Sequence, residues 1–208
     1  VITFPGSNCD RDMNVALKKF GFKNKMVWHD ELELPKSDLV VLPGGFSYGD
    51  YLRCGSMASK SKIMNSVLNF AKGGGKVLGI CNGFQILVEA GLLPGVLLRN
   101  KHLEFICKNV FVKINNKDNS YFKDIKKDIL EFHIAHNEGN YFCSENQIKE
   151  IDDNDQIALF YTDVSGNINE SYNPNGSLKN IAAIFNKEKN VLGMMPHPER
   201  MIDPALSG

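Results

Sequence analysis

The sequence predicts one α/β domain, in which a mostly parallel sheet is flanked by helices and extended by antiparallel strands. In the first half, strand-like apolar runs alternate with segments whose apolar residues recur at helical spacing, which is the pattern of βαβ units. The run 39–42 is apolar throughout, as expected of a parallel strand buried on both faces. Because the sequence contains no internal repeat and no linker-like segment, we assign residues 1–208 to a single domain.

The predicted elements of the first half end at turn residues. Gly21 follows the first helical pattern and is expected to cap it, and Pro43 ends the apolar run 39–42. Three glycines at 73–75 end the second helical pattern. In order, we predict a strand at 1–4, a helix at 12–20, strands at 25–29 and 39–42, a helix at 57–70, a strand at 76–78 and a helix from 84 onward.

The second half has shorter strand-like segments and more polar residues. The stretch 115–127 is rich in lysine and is predicted to be a surface excursion, and 167–176 is rich in Asn, Pro and Gly and is predicted to be a loop. We predict strands at 105–114, 132–135, 156–161, 181–185 and 191–195.

Charge and cysteine content exclude several classes of protein. The 24 basic and 24 acidic residues cancel, so nothing favours attraction to nucleic acid or to a membrane surface. No apolar stretch approaches the roughly 18 residues that would span a bilayer. Five cysteines, an odd number without a Cys-x-x-Cys pair, indicate reduced thiols in a cytoplasmic protein and no metal site. The chain begins at Val1 inside a predicted strand, and we expect further residues before it and after Gly208.

Cys81 lies where the predicted strand 76–78 turns into a helix, with glycines at positions 79 and 83. This is the thiol version of the Gly-x-Ser-x-Gly nucleophile elbow. Glycine at both flanking positions lets the backbone turn sharply, and the helix N-terminus favours the thiolate. The alternative is a structural cysteine buried in the core, and the elbow alone does not separate the two.

A thiol nucleophile needs a base, and the base needs a group that orients it. Of the five histidines, His197 lies between two prolines, directly after the apolar run 191–195. Proline favours extended backbone at and before its own position, so His197 and Glu199 are expected to point to the same side. We therefore predict a triad of Cys81, His197 and Glu199. The alternative for the His-Pro pair is a simple turn at a strand end.

Residues 43–50, Pro-Gly-Gly-Phe-Ser-Tyr-Gly-Asp, follow the strand 39–42 and so lie at the edge where α/β sheets bind ligands. Gly44 and Gly45 leave backbone N–H groups open to a substrate oxygen, and one of these with the N–H of Asn82 would form an oxyanion hole. A tight turn is the alternative. The chain has no Gly-x-x-x-x-Gly-Lys phosphate loop.

These motifs resemble those of the class I, triad-type glutamine amidotransferases. The resemblance is closest to the glutaminase subunits of phosphoribosylformylglycinamidine synthase, and it runs in order from residue 4 to residue 201. It implies a flavodoxin-like fold. The segments that carry it are 4–10, 43–50, 51–55, 79–85, 99–100, 135–139 and 196–200.

The resemblance implies a reaction. Cys81 would attack the side-chain amide of glutamine, with the N–H groups of Gly45 and Asn82 stabilising the oxyanion. His197 would protonate the departing ammonia and then activate the water that releases glutamate from the thioester.

The resemblance also implies binding residues and partners. Gln85 matches a position that contacts bound glutamine, and His136 aligns with a second such region, for which a polar strand end is the alternative. Ammonia would pass to a synthetase subunit, accompanied by a small accessory subunit. That synthetase would use ATP and magnesium to convert formylglycinamide ribonucleotide to the amidine in purine biosynthesis. No cofactor is expected on this chain itself.

Three alternatives stay open. The chain could be the glutaminase subunit of another amidotransferase, or a different thiol hydrolase on a related fold. It could also be a non-enzymatic flavodoxin-like module whose thiol is structural. Release of glutamate from glutamine, compared with a Cys81→Ala variant, separates these possibilities.

Overall fold

In the computed structural model, which describes residues 1–203 and Ala205, eleven strands and four α-helices follow one another along the chain. The expected continuation after Gly208 lies outside these residues. The helices are α1 (Asp10–Lys19), α2 (Ile63–Lys72), α3 (Asn82–Glu89) and α4 (Glu145–Asp153). The strands are β1 (Ile2–Thr3), β2 (Val27–Trp28), β3 (Leu39–Leu42), β4 (Lys76–Ile80), β5 (Val96–Leu98), β6 (Ile106–Ile114), β7 (Ile129–His136), β8 (Asn140–Phe142), β9 (Ile157–Thr162), β10 (Ile181–Phe185) and β11 (Val191–Met194).

The main sheet has seven strands in the order β3-β4-β11-β10-β9-β6-β7. β4 lies between β3 and β11 and is parallel to both, and β1 and β2 form a further parallel pair. The rest of this sheet is antiparallel: each strand pairs antiparallel with the next along the order β11-β10-β9-β6-β7. β5 and β8 also pair antiparallel, in a small separate sheet. The predicted α/β class is confirmed. β3, β4 and β11 form the parallel part of the main sheet, and β10, β9, β6 and β7, which all come from the second half of the chain, form its antiparallel part.

Burial explains why β3, β4 and β11 read as apolar runs. All four residues of β11 are buried, and so are Val40, Val41 and Leu42 of β3. The helix α3 covers the same strands, and every residue of α3 except Glu89 is buried. A helix that is buried nearly all round is held by the core on several sides, so its N-terminus has a fixed position at the sheet edge.

The edge strand β7 of the seven-stranded sheet bonds to the segment that follows β11. The His197 N–H, which follows β11, donates a 2.8 Å hydrogen bond to the His133 carbonyl of the far edge strand β7. The sheet therefore curls, and β7 lies over the carboxyl ends of the parallel strands. This curl closes one side of the candidate site.

Some elements differ from the sequence-based prediction. The predicted helix 57–70 begins as a separate 3₁₀ turn, Ala58–Lys60, and the α-helix α2 starts only at Ile63. The structure adds β5, β8 and α4, which were not predicted. Within the described part of the chain, the helices are too short or too polar to cross a bilayer.

Candidate active site

The elbow at Cys81 has the strained geometry that its sequence predicts. Cys81 has φ +49° and ψ −104°, a conformation that a non-glycine residue rarely adopts, and it is 5% exposed. A Cβ added to Gly79 would lie 2.7 Å from the carbonyl atoms of Gly83, and one added to Gly83 would overlap the Leu42 carbonyl. The flanking glycines are therefore required because β4, α3 and β3 meet there without room for a side chain.

Topology brings the three sequence motifs together. The segments that begin at Pro43, Cys81 and Met195 leave the neighbouring parallel strands β3, β4 and β11 at the same edge. A Cβ placed on Gly44 would lie 2.6 Å from His197 Cε1 and 3.5 Å from Cys81 Cβ. Gly44 thus lies directly beside the imidazole of His197 and the side chain of Cys81.

His197 and Glu199 form the predicted pair, but on a different backbone from the predicted one. His197 Nδ1 and Glu199 Oε1 are 2.6 Å apart, and both side chains are 1% exposed. The pair lies on a 3₁₀ turn, Pro198–Arg200, and not on an extended chain. Proline at the first position of the turn supplies its φ, so a short turn rather than a strand brings the two side chains together.

Burial and neighbouring charges shift the pKa of His197 in opposite directions. Burial lowers the pKa of His197, but the charges of Cys81 and Glu199 outweigh burial and raise it to about 10. His197 Nε2 has no hydrogen-bond partner among the described residues, and neither has Glu199 Oε2. The Cys81 Sγ is 3.6 Å from the Ala135 carbonyl on β7. The imidazole is therefore held at Nδ1, and its Nε2 is left without a bond.

The loop after β3 presents backbone donors next to the thiol. Gly45 has φ +125°, and an added Cβ would lie 2.7 Å from the Asn8 nitrogen, so only glycine fits there. The Gly45 N–H makes no hydrogen bond to another residue of the described chain. Asn82 is the first residue of α3, where N–H groups have no partner within the helix.

The Asn82 side chain joins this loop to α3. Its Oδ1 accepts a 3.2 Å hydrogen bond from the Ser47 N–H, and its Nδ2 donates to Asp50 Oδ1 at 3.3 Å. Nδ2 also donates to Gln85 Oε1 at 2.9 Å, and Gln85 Nε2 donates to the Glu138 carbonyl at 2.7 Å. The predicted residue Gln85 is therefore buried in a network that reaches from the elbow to the loop after β7.

His136 ends β7 and is 3% exposed. Burial lowers the pKa of His136 to about 4, and the charge of His197 acts in the same direction. His136 Nδ1 and Asn100 Oδ1 are 3.1 Å apart, so a neutral imidazole with its proton on Nδ1 donates to Asn100. Asn100 Nδ2 in turn donates to the His136 carbonyl at 2.9 Å. His136 is thus anchored in a polar network close to the site.

Two residues at the site were not among the site residues predicted from the sequence. Asn100 is fully buried and organises the turn after β7, since its Oδ1 also accepts from the Gly139 N–H at 3.0 Å. Cys9 is buried beside the predicted triad, and Arg200 Nη2 donates to its Sγ at 3.1 Å. Burial raises the pKa of the Cys9 thiol to about 11, although the Arg200 charge opposes the shift. In the sequence, the residues before Cys9, Pro5-Gly6-Ser7, indicated only a turn.

Comparison with known proteins gives the class. Residues 1–207 match the CobB/CobQ-like glutamine amidotransferase domain, which covers nearly the whole chain. The fold agrees, because the chain superposes on a component of the PurLQS structure from Thermotoga maritima with a TM-score of 0.87. That match has 39% identity and covers 100% of this chain and 90% of the other. The protein is a glutamine amidotransferase.

Two curated relatives identify the family to which the chain belongs within this class. The chain is 87% identical over 208 residues to phosphoribosylformylglycinamidine synthase subunit PurQ of Pelagibacter ubique, covering 100% of this chain and 92% of the relative. It is 52% identical over 211 residues to the subunit of the same name from Zymomonas mobilis, covering 100% and 91%. The chain belongs to the family of these PurQ subunits.

Proposed function

We propose that this chain is the glutaminase subunit of a phosphoribosylformylglycinamidine synthase, in which it hydrolyses glutamine and supplies ammonia to a synthetase subunit. One observation carries the chemistry: Cys81 and the 2.6 Å His197–Glu199 pair converge at the ends of adjacent parallel strands. The family match supports the choice of glutamine as substrate.

In the first half of the reaction, the Cys81 thiolate attacks the amide carbon of glutamine. A carbon–sulfur bond forms, and the amide oxygen becomes an oxyanion that the N–H groups of Gly45 and Asn82 stabilise. As the tetrahedral intermediate collapses, the carbon–nitrogen bond breaks, and the proton held on His197 Nε2 goes to the departing ammonia. A γ-glutamyl thioester on Cys81 remains.

In the second half, His197 acts as a base. Its free Nε2 takes a proton from water, and the resulting hydroxide attacks the thioester carbon. The carbon–sulfur bond breaks, glutamate leaves, and the thiolate beside a protonated His197 is regenerated. Glu199 holds the imidazole by Nδ1 and stabilises its charged form, which agrees with the raised pKa of His197.

Gln85 and His136 are proposed to contribute to glutamine binding. Gln85 lies one turn into α3 from Cys81, and its side chain already joins Asn82 to the Glu138 carbonyl. His136 is next to the same turn after β7 and stays neutral. Both residues border the elbow, so a bound glutamine that reaches Cys81 passes close to them.

The chain is proposed to act within a complex. The Thermotoga maritima structure is named PurLQS, and the curated relatives are named as subunits. By this proposal a synthetase subunit holds ATP and magnesium and receives the ammonia, a small accessory subunit completes the assembly, and the complex is cytoplasmic.

The proposal is tested by glutamate release in the reconstituted complex. Replacing Cys81 by alanine removes the nucleophile, so we expect glutamate release to fall more than about a thousandfold. The matched control is Cys107→Ala, which removes an exposed thiol outside the proposed triad. Equal rates for the wild type and Cys81→Ala would overturn the triad, and activity on other amides but not glutamine would favour a different thiol hydrolase.

A further inference from the structure

A second thiol lies beside the triad and is not used in the proposed reaction. Cys9 immediately precedes α1 and is 2% exposed. Its Sγ, a ring nitrogen of His197 and a carboxylate oxygen of Glu199 all lie within 4.8 Å of one another. Three different kinds of metal ligand thus share one buried position.

We propose that Cys9, His197 and Glu199 form an inhibitory site for a thiophilic divalent cation, with Zn²⁺ and Cd²⁺ as its probes. The inhibitory effect rests on the proposed triad, because the cation would occupy the base and its orienting carboxylate. The binding itself depends only on the three ligands.

The ligand set and its spacing suit such a cation. Zinc bonds to thiolate sulfur at about 2.3 Å and to imidazole nitrogen or carboxylate oxygen at about 2.0–2.2 Å, so two ligands of one ion lie at most about 4.5 Å apart. The three donors are already within 4.8 Å, so small side-chain rotations are enough to close the site. The His197–Glu199 hydrogen bond would be replaced by bonds to the metal.

Glu199 Oε2, an atom that the proposed reaction does not use, points independently to a ligand. Glu199 Oε2 and His197 Nε2 are both buried without a hydrogen-bond partner among the described residues. A buried polar atom without a partner costs free energy. A cation bound by the carboxylate and the imidazole would relieve that cost.

The surrounding charges also accommodate the cation. A Cys9 thiolate and the Glu199 carboxylate would together balance two positive charges. Metal binding would release the Cys9 proton and the His197 proton to solvent, because only a thiolate and a neutral imidazole bind a metal. Burial favours the Cys9 thiol, but Arg200 donates to Cys9 Sγ at 3.1 Å and opposes that effect, which helps the thiolate form that binds metals. The charge of Arg200 is itself paired with Asp12, whose Oδ2 is 3.7 Å from Nε.

The site can be reached from outside. A cavity of about 210 Å³ is lined by Cys9, His197 and Arg200. Phe46 and Phe105, both partly exposed, and the exposed Cys107 border the same cavity. A cation that enters this cavity therefore meets Cys9 and His197 without opening of the core.

Binding is tested without relying on activity. In a Cys81→Ala background the nucleophile cannot bind metal, and we expect Cd²⁺ to give an ultraviolet Cd²⁺–thiolate charge-transfer band that a chelator removes. Adding Cys9→Ser or, as a second variant, Cys9→Ala should abolish this band, whereas Cys107→Ser should keep it. Circular dichroism without metal verifies that each variant is folded. A band that survives both Cys9 variants would overturn the site.

Inhibition is tested in the complex with an otherwise wild-type chain. We expect Zn²⁺ to inhibit glutamate release, and Cys9→Ser to need at least about tenfold more Zn²⁺ for the same fractional inhibition, as expected for loss of a metal-site interaction. Cys107→Ser should keep the wild-type sensitivity. Equal zinc sensitivity of Cys9→Ser and wild type would overturn the inhibitory role. Should the proposed glutaminase activity itself fail, the Cd²⁺ band still decides whether the site exists.

Discussion

At the scale of single residues, Glu199 holds His197 in position and, together with Cys81, favours its charged form. Glu199 lies 2.6 Å from Nδ1 in a place where both side chains are buried, and its charge helps to raise the pKa of His197 to about 10. A neutral side chain of the same shape would keep the contact but lose that effect. The carboxylate is therefore an electrostatic requirement as well as a geometric one.

The substitution Glu199→Gln separates the electrostatic contribution of Glu199 from its geometric contribution. The amide fits the same space but does not stabilise the imidazolium, so we expect kcat for glutamate release to fall on the order of 10³–10⁴-fold. Because the pKa of His197 should fall, a pH profile of kcat should also shift to lower pH. Circular dichroism verifies that the variant folds. A variant with wild-type kcat and an unshifted profile would contradict the assigned role of Glu199.

The sequence predicted the site residues that belong to a short motif. It did not predict those that only tertiary contacts bring to the site. Cys81, His197 and Glu199 stand beside glycines or prolines whose backbone effects can be read locally. Cys9 follows the turn residues 5–7 but has no flanking elbow glycines, and the approach of α1 to the turn Pro198–Arg200 places it beside the triad. Asn100 likewise looks like an ordinary loop residue until the turn after β7 folds around it.

At the scale of elements, the elbow depends on how closely α3 approaches β3 and β4. Gly83 faces the Leu42 carbonyl, where an added Cβ would overlap the backbone of β3. Backbone cannot move aside as a flexible side chain can. The first turn of α3, and with it the Asn82 N–H, is therefore positioned by a contact that only glycine permits.

Gly83→Ala tests this contact. Overpacking of a core typically costs about 1–3 kcal/mol, and because the obstacle here is backbone we expect a loss at or above the upper end of that range. Denaturant unfolding of the isolated chain measures the change. The matched control is Gly73→Ala at the end of α2, where the nearest atom to an added Cβ is 3.4 Å away and φ is −77°. Equal stabilities of the two variants would contradict the packing argument.

The elements that were missed are those with weak apolar periodicity. α4 buries only Ile151, so its apolar pattern is too sparse to indicate a helix. The N-terminus of α4 does have a signal in the sequence: Ser144 and Gln147 match the pattern Ser-x-x-Gln, and in the structure they form a capping box. β5 and β8 have three residues each and pair with each other across a long sequence separation, which local propensity does not predict.

At the scale of the whole molecule, the parallel strands could be predicted but the curl of the sheet could not. Alternating strands and helices predicted β3 and β4 as parallel neighbours, and β11 extends this parallel part of the sheet by pairing with β4. Nothing in the sequence indicated that β7, at the other end of the sheet, returns to bond with His197. That return gives the site its second wall and buries His136 beside it.

Burial of His136 links the stability of the whole fold to pH. The pKa of His136 is about 4 in the folded chain and 6.5 in its ordinary state, so between these values the unfolded chain binds a proton that the folded chain does not. Stability should therefore fall as pH is lowered from about 6.5 to 4, by up to roughly 3 kcal/mol from this residue.

His136→Asn isolates this contribution. The asparagine amide keeps a donor near the position of Nδ1, facing Asn100 Oδ1, but does not titrate. Denaturant unfolding as a function of pH should show the wild type losing stability faster than the variant between about pH 6.5 and 4, with parallel curves above pH 7. The other titrating groups, His197 among them, are present in both proteins and cancel in the difference. Curves that stay parallel down to pH 4 would mean that His136 is charged in the folded chain, and the polar network around Asn100 would then need a different proton assignment.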